Sequence, residues 1–325
     1  MTHDVNLLLE LADDWQQAGH KLAIAFVMQT WGSSPRQAGS IMLIRDDHHI
    51  EGSVSGGCVE SAVIEAAQAA QVSGTGSRLD FGVTDETAWN VGLSCGGSIA
   101  VLVCPVGDQG IDAGTLSRAA AQSRARETVC FGINASTGKI ELTLPIPADL
   151  KESHIYNDTH FIFVQPPAPR LIVVGGVHIA QHLVPMARRI GLDVTLIDPR
   201  SAFANEVRFI DCNIIADWPE TALKTLTLDA QTAMVTLTHD PKIDDDALIP
   251  ALASDIFYIA ALGSRRTHEK RTKRLSAAGC DAKSLARIHA PAGLDIGSRN
   301  PADIAISILA ELIAIRNGKC QNGNR

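Results

Sequence analysis

The chain has 325 residues, enough for about two domains, and 46% of them are hydrophobic, enough to fill two cores rather than stay disordered. A net charge of −8 excludes a general nucleic-acid surface, and 4% aromatic residues argue against base-stacking platforms. Seven cysteines with no C-x-x-C pair suit reduced thiols in a cytoplasmic protein better than a disulfide framework.

The first residues carry acids and no basic stretch, so no secretory signal is expected. Apolar residues at Val5, Leu8, Leu9, Leu11, Ala12 and Trp15 recur at helical spacing, and Gly19 ends that helix. Residues 22–30 form a β-leaning run, residues 31–36 a loop, and residues 40–45 a strand ending in a polar turn. Ser55-Gly56-Gly57-Cys58 follows, at or just before the start of an alanine-rich helix over residues 61–71. A helix N-terminus leaves N–H groups unpaired and carries partial positive charge, and glycines let a ligand approach. The turn is a candidate anion cradle that would lower the pKa of Cys58. The same residues also suit a tight turn around a small buried cysteine. A second glycine–cysteine turn over residues 92–97 holds Cys95 and Gly96, ahead of a strand over 98–104. Cys58 and Cys95 are candidates to meet in one pocket. No ligands at metal-site spacing occur, so no metal ion held by a protein ligand set is expected. A helix over 111–127 and strands over 128–133, 140–144 and 159–164 complete an N-terminal α+β domain over residues 1–165.

Three prolines in Pro166-Pro167-Ala168-Pro169 favour a stiff spacer and mark the domain boundary. The second domain, residues 170–325, opens with a strand over 170–174, the Gly175-Gly176 turn, and a helix over 178–190 stopped by Gly191. A strand over 193–197 then ends at Asp198. This βαβ unit predicts an α/β, Rossmann-like doubly wound parallel sheet. The dinucleotide fingerprint is G-x-G-x-x-G/A with an acid about 20 residues on. Gly175, Ala180 and Asp198 fill it, but Val177 stands at the middle glycine. Strands over 213–216, 232–238 and 256–262 are nearly continuous in apolar residues, as strands buried on both faces are.

Ligands of such sheets bind outside the carboxyl ends of the strands. The candidate binding residues there are Gly175, Gly176, His178, Asp198, Arg200, His239, Asp240, Gly263, Ser264 and Arg265. Residues 265–274 carry six basic residues and one acid. Cations at a helix start oppose its dipole, so Arg265 meets either an anion such as phosphate or bulk water. Lys270, Arg271, Lys273 and Arg274 read as a solvated helix face. Asn300 caps a last helix with Pro301 at its first position. That helix is apolar on most of its circumference, which suits core or a homodimer interface. Asp303, Ser307 and Glu311 interrupt its apolar run, which is too short and too polar to span a membrane.

Several blocks together resemble the XdhC/CoxI family. They are TWGSSPRQAG (residues 30–39), GSVSGGCVE (52–60), GLSCGG (92–97), the glycine turn with His178, LTHD (237–240), LGSRRT (262–267) and HAPAGLDIGSRNPADIAISILAEL (289–312). Val177 departs from the GxGH-type turn of many relatives. The resemblance implies a maturation chaperone, not an enzyme, for molybdenum hydroxylases such as xanthine dehydrogenase. Its cargo would be molybdenum cofactor, as molybdopterin or molybdopterin cytosine dinucleotide. Its partners would be a cysteine desulfurase that sulfurates the cofactor and an apo-molybdenum hydroxylase that receives it. Cys58 or Cys95 would then stand near molybdenum or relay sulfur. Two rivals follow from the residues alone. An NAD(P)-dependent oxidoreductase would use Asp198 as acceptor for a ribose 2′-OH. A thiol enzyme would use Cys58 as nucleophile and needs a base that the sequence does not fix.

Overall fold

The computed structural model describes residues 4–31, 36–57, 59–82, 97–141, 150, 152–210 and 212–319. Cys58, Cys95 and Gly96, most of the loop over 31–36, the end of the strand expected over 140–144 and the tail after residue 319 lie outside them. The chain divides into two compact units, Met1–Pro167 and Ala168–Arg325.

In the first unit, β1 (Leu22–Trp31) is the central strand of a five-stranded antiparallel sheet. The order is β3 (Ile50–Gly52), β2 (Ile41–Arg45), β1, β5 (Ser98–Pro105), β4 (Ser77–Phe81). Successive side chains of a strand point to opposite faces. Ile24, Phe26 and Met28 therefore share a core with α1 (Val5–Gln17), α3 (Ala113–Arg124) and a second sheet. Ala23, Ala25 and Val27 pack beneath α2 (Glu60–Ser73). The second sheet has the order β7 (Ile140–Glu141), β6 (Val129–Asn134), β9 (His160–Gln165), β8 (His154–Asn157). Phe26 joins the two sheets, its ring 5.1 Å from Phe163, which lies 5.0 Å from Phe131. The α+β expectation holds, but β4 and β8 are additions to it. Both are short edge strands with polar sequence, and such edges carry little hydrophobic signal.

The second unit holds six parallel strands in the order β12 (Asn213–Ile215), β11 (Asp193–Ile197), β10 (Arg170–Val174), β13 (Thr232–Thr236), β14 (Tyr258–Ala261), β15 (Ile288–His289). Counted from β10 this is the doubly wound dinucleotide-binding order 3-2-1-4-5-6. One face of the sheet is covered by α4 (His178–Arg189) and α7 (Pro301–Arg316), through Leu183, Ile308 and Leu312. The other is covered by α5 (Pro241–Leu252) and α6 (Arg265–Ala277), through Ile243, Leu248 and Leu275. The last helix thus gives one side to the core, while Ile306 on the same helix is 49% exposed. The sixth strand, only two residues long, is too short to show periodicity. The chain order reverses between β10 and β13, so the loops after these two strands flank the switch point where such sheets bind ligands.

Candidate functional site

The loop after β10 is shaped by two glycines with different constraints. Gly175 has φ +110°, a left-handed value that favours glycine, and a Cβ there would lie 2.6 Å from Thr238 Cγ2. A Cβ on Gly176 would lie 2.4 Å from the Phe203 carbonyl oxygen. The turn is therefore packed between the loop after β13 and the loop after β11. Val177 is the N-cap of α4 and supplies no side-chain cap, and His178 is exposed at the helix start, 5.7 Å from the His182 ring.

Asp198, the fingerprint acid, is fully buried. Its Oδ2 accepts from Gly176 N at 2.8 Å and Arg200 Nη2 at 2.7 Å, and its Oδ1 accepts from Arg200 N at 3.0 Å and Nε at 2.8 Å. Burial pushes this carboxyl up, but the hydrogen bonds from Arg200 and Gly176 outweigh it and hold it below the usual carboxylate range. The Asp198 hydrogen bond in turn raises Arg200, whose guanidinium stacks 4.2 Å from the centre of the Phe203 ring. Both carboxylate oxygens are committed within the chain. That corrects the expectation of a free acceptor for a ribose hydroxyl, and the fingerprint acid here locks the turn instead.

The loops after β13 and β14 are tied together by a second buried pair. Asp240 caps α5 by accepting from Lys242 N at 3.0 Å. Asp244, one turn into that helix and 1% exposed, accepts from Thr238 Oγ1 at 2.6 Å and His239 N at 3.1 Å. It holds His239 at φ +65°, a backbone region that L-residues rarely adopt. Ser264 caps α6 through Thr267 N at 3.2 Å, and Gly263 turns at φ +133°. Arg271, 1% exposed, donates from Nη2 to the Leu262 carbonyl at 2.8 Å and lies 3.7 Å from Asp244 Oδ2. Burial pushes Asp244 up and pulls Arg271 down, each against its partner's charge. Nε and Nη1 of Arg271 are buried with no hydrogen-bond partner among the described residues.

Arg271 is thus not part of a solvated helix face. It is one wall of a cleft of about 530 Å³ lined by His239, Pro241, Asp244, Arg266, Thr267, Lys270, Arg271 and Arg274. Arg274 is paired with Asp245, Nη2 to Oδ1 at 3.0 Å. Arg265 is exposed and not among the lining residues, so the cation facing the cleft at the helix start is Arg266. Sequence reading misses Asp244 and Arg271, yet a signal exists. Leu275 is the one large apolar residue of α6, and Arg271 lies one turn before it, on the same helix face.

In the first unit the Ser55–Gly57 turn does form a cradle of N–H groups, but the chain fills it. The Glu60 carboxylate accepts from Ser53 Oγ at 2.8 Å, Ser55 N at 2.9 Å and Oγ at 2.6 Å. It also accepts from Gly56 N at 2.9 Å, Gly57 N at 2.8 Å and Val59 N at 3.2 Å. Burial pushes Glu60 up, yet these donors take its pKa down to about 2. The anion in this turn is therefore Glu60. In the described cysteines Cys104, Cys130, Cys212 and Cys280, burial raises every thiol, Cys212 to about 11, so none of them is an activated nucleophile. Among the described residues no group of three His, Cys, Asp or Glu side chains is arranged to hold a metal ion.

The chain has relatives over nearly its whole length. It is 26% identical to the molybdenum cofactor insertion chaperone PaoD of Escherichia coli (strain K12), over 97% of this chain and 90% of that protein. It is 27% identical to a probable xanthine dehydrogenase subunit of Bacillus subtilis (strain 168), over 95% of this chain and 96% of the other. The solved structure of a xanthine dehydrogenase from Bacillus halodurans matches with a TM-score of 0.74 at 25% identity, covering 99% of this chain and 98% of that one. Residues 171–312 match the family model of the XdhC Rossmann domain, and residues 15–82 match that of the XdhC and CoxI family. With both models matched across well over half its length, the chain belongs to the XdhC and CoxI family.

Proposed function

We propose that this protein is a maturation chaperone. It binds molybdenum cofactor as cargo, holds it while a cysteine desulfurase sulfurates it, and inserts it into an apo-molybdenum hydroxylase of the xanthine dehydrogenase type. The names of PaoD and of the Bacillus subtilis relative support this reading. The observation that carries it over a nicotinamide oxidoreductase is the commitment of both Asp198 oxygens to Gly176 and Arg200. A dinucleotide ribose needs that carboxylate free. Molybdopterin carries a phosphate and its cytosine dinucleotide form a diphosphate, and Arg271, whose Nε and Nη1 have no partner among the described residues, offers donors of the kind such a group accepts from. Cys58 and Cys95 are the residues proposed to face the metal or relay sulfur, in a cytoplasmic protein whose thiols stay reduced.

The test is anaerobic purification followed by metal analysis and oxidation of bound pterin to its fluorescent product. Molybdenum and pterin are expected in equal, near-stoichiometric amounts. A hydroxylase partner made without this chain should accumulate as polypeptide but lack activity. A chain that takes up no cofactor, beside a fully active hydroxylase in its absence, would overturn the reading.

A further inference from the structure

We propose that the cleft between the start of α5 and the face of α6 is a binding site for a diphosphate group, with Arg266, Lys270 and Arg271 as its donors. Four cations line it, and Arg274 is neutralised by Asp245. The one lining carboxylate, Asp244, is turned to the Thr238 and His239 donors and to Arg271. Arg266 and Lys270 have no ion-pair partner among the described residues and leave positive charge on the cleft, in a chain of net charge −8.

Arg271 makes the argument specific. Its guanidinium is buried and gives one hydrogen bond from Nη2, while Nε and Nη1 have no partner among the described residues. Buried donors are nearly always satisfied, and leaving one unmet is costly. Nε and Nη1 lie on opposite edges of the guanidinium, so an anion seated against Arg271 takes a single charge-assisted hydrogen bond from one edge, and Arg266 and Lys270 supply the rest. Arg266 and Lys270 are four residues apart on one helix, a rise of about 6 Å, which spreads the charge over a longer anion than one phosphate. Assigning this diphosphate to the cytosine dinucleotide form of the cargo rests on the proposed function, whereas the anion site itself does not.

The full-length chain should be titrated calorimetrically with inorganic pyrophosphate and, separately, inorganic phosphate. Pyrophosphate is expected to bind more tightly. The double variant Arg266→Ala/Lys270→Ala removes two exposed side chains, so the unliganded protein should melt as wild type while pyrophosphate affinity falls at least about tenfold. Arg271→Lys keeps the charge but withdraws the Nε and Nη1 donors, and should weaken binding as well. Wild type without pyrophosphate heat, or variants that bind as tightly as wild type, would overturn the site. Cofactor retention in the same variants separates the two claims. Retention undiminished where pyrophosphate binding is lost leaves the anion site and removes the cargo from it. Pyrophosphate binding by a wild type that never holds cofactor leaves the site and sinks the proposed function.

Discussion

The backbone N–H of Gly176 points at Oδ2 of Asp198, 22 residues further on, at 2.8 Å. In a dinucleotide site the glycine turn faces a pyrophosphate and the acid faces a ribose, so the two belong to different parts of the ligand. Here they face each other, with Arg200 closing the arrangement. Asp198→Asn keeps the shape but sets an amide against donors from Gly176 and Arg200. Arg200, 39% exposed, recovers part of the loss by turning to water, so the variant should cost about 2–3 kcal/mol in urea unfolding. NADH titrated into wild type should keep its free fluorescence spectrum. An unfolding midpoint equal to wild type, or a shifted nicotinamide spectrum, would refute this account of the turn.

Three glycines of the same unit separate steric from conformational cost. Gly191 has φ +84° and nothing within 4 Å of where a Cβ would stand, so Gly191→Ala should cost only the strain of a left-handed L-residue, about 1 kcal/mol. Gly176→Ala meets the Phe203 carbonyl at 2.4 Å and should cost about 1–3 kcal/mol through displacement of that loop. Gly175→Ala combines a left-handed φ with a 2.6 Å approach to Thr238, and should cost more than either. Denaturant midpoints of the three variants check the order. Gly175→Ala at the level of Gly191→Ala would mean that the loop after β13 is not packed on the turn.

The range of these constraints along the chain decides what the sequence discloses. The βαβ unit is legible because Leu171–Val174 and Val194–Ile197 are β-rich and, Thr195 apart, apolar on both faces, and the glycines sit between them. The cap at Asn300 is legible through local spacing, since the acceptor and the N–H it satisfies lie three residues apart, whereas Asp240, read as a candidate binding residue, is also a cap. What stays hidden are the partners that only the folded chain brings together. In the sequence Glu60 is one letter of a motif, and nothing marks it as the anion that fills the turn before it. Arg271 looks like surface because its charge says surface, and only Asp244, on another helix, allows it to be buried. Charge predicts exposure when the partner is water, and fails when the partner is another buried charge.

Glu60 gives stability a defined dependence on acid. Its folded pKa is about 2 against an ordinary value of 4.5, so the contribution is complete above 4.5 and is lost as pH falls from there toward 2. Asp198, also lowered, adds in the same direction below its ordinary 3.8. Glu60→Gln should be less stable at neutral pH by about 1–3 kcal/mol. It should also lose less than wild type on acidification, so the two melting curves converge as pH approaches 2. Parallel curves across that window would show that the Ser55–Gly57 donors are not reading the charge of Glu60.

Asp244 and Arg271 form the pair on which both the loop after β13 and the cleft depend. Their side chains are each 2% exposed and 3.7 Å apart, so removing either leaves a buried charge without its counterpart. Asp244→Leu and Arg271→Met should each cost about 3–5 kcal/mol. The double variant should cost less than the sum, with a coupling of about 1–3 kcal/mol. The pH dependence has the opposite sign from that of Asp198. Burial raises Asp244 above its ordinary 3.8, so its contribution is full below that value and is lost as pH rises through the folded value. In Arg271→Met the carboxyl loses the cation that opposes this rise, and the loss of stability should extend to higher pH than in wild type. Urea unfolding of wild type, both single variants and the double, measured from pH 4 toward neutral, checks both expectations. Strict additivity would mean that the two groups ignore each other, and the cleft would lose the residue that makes it specific.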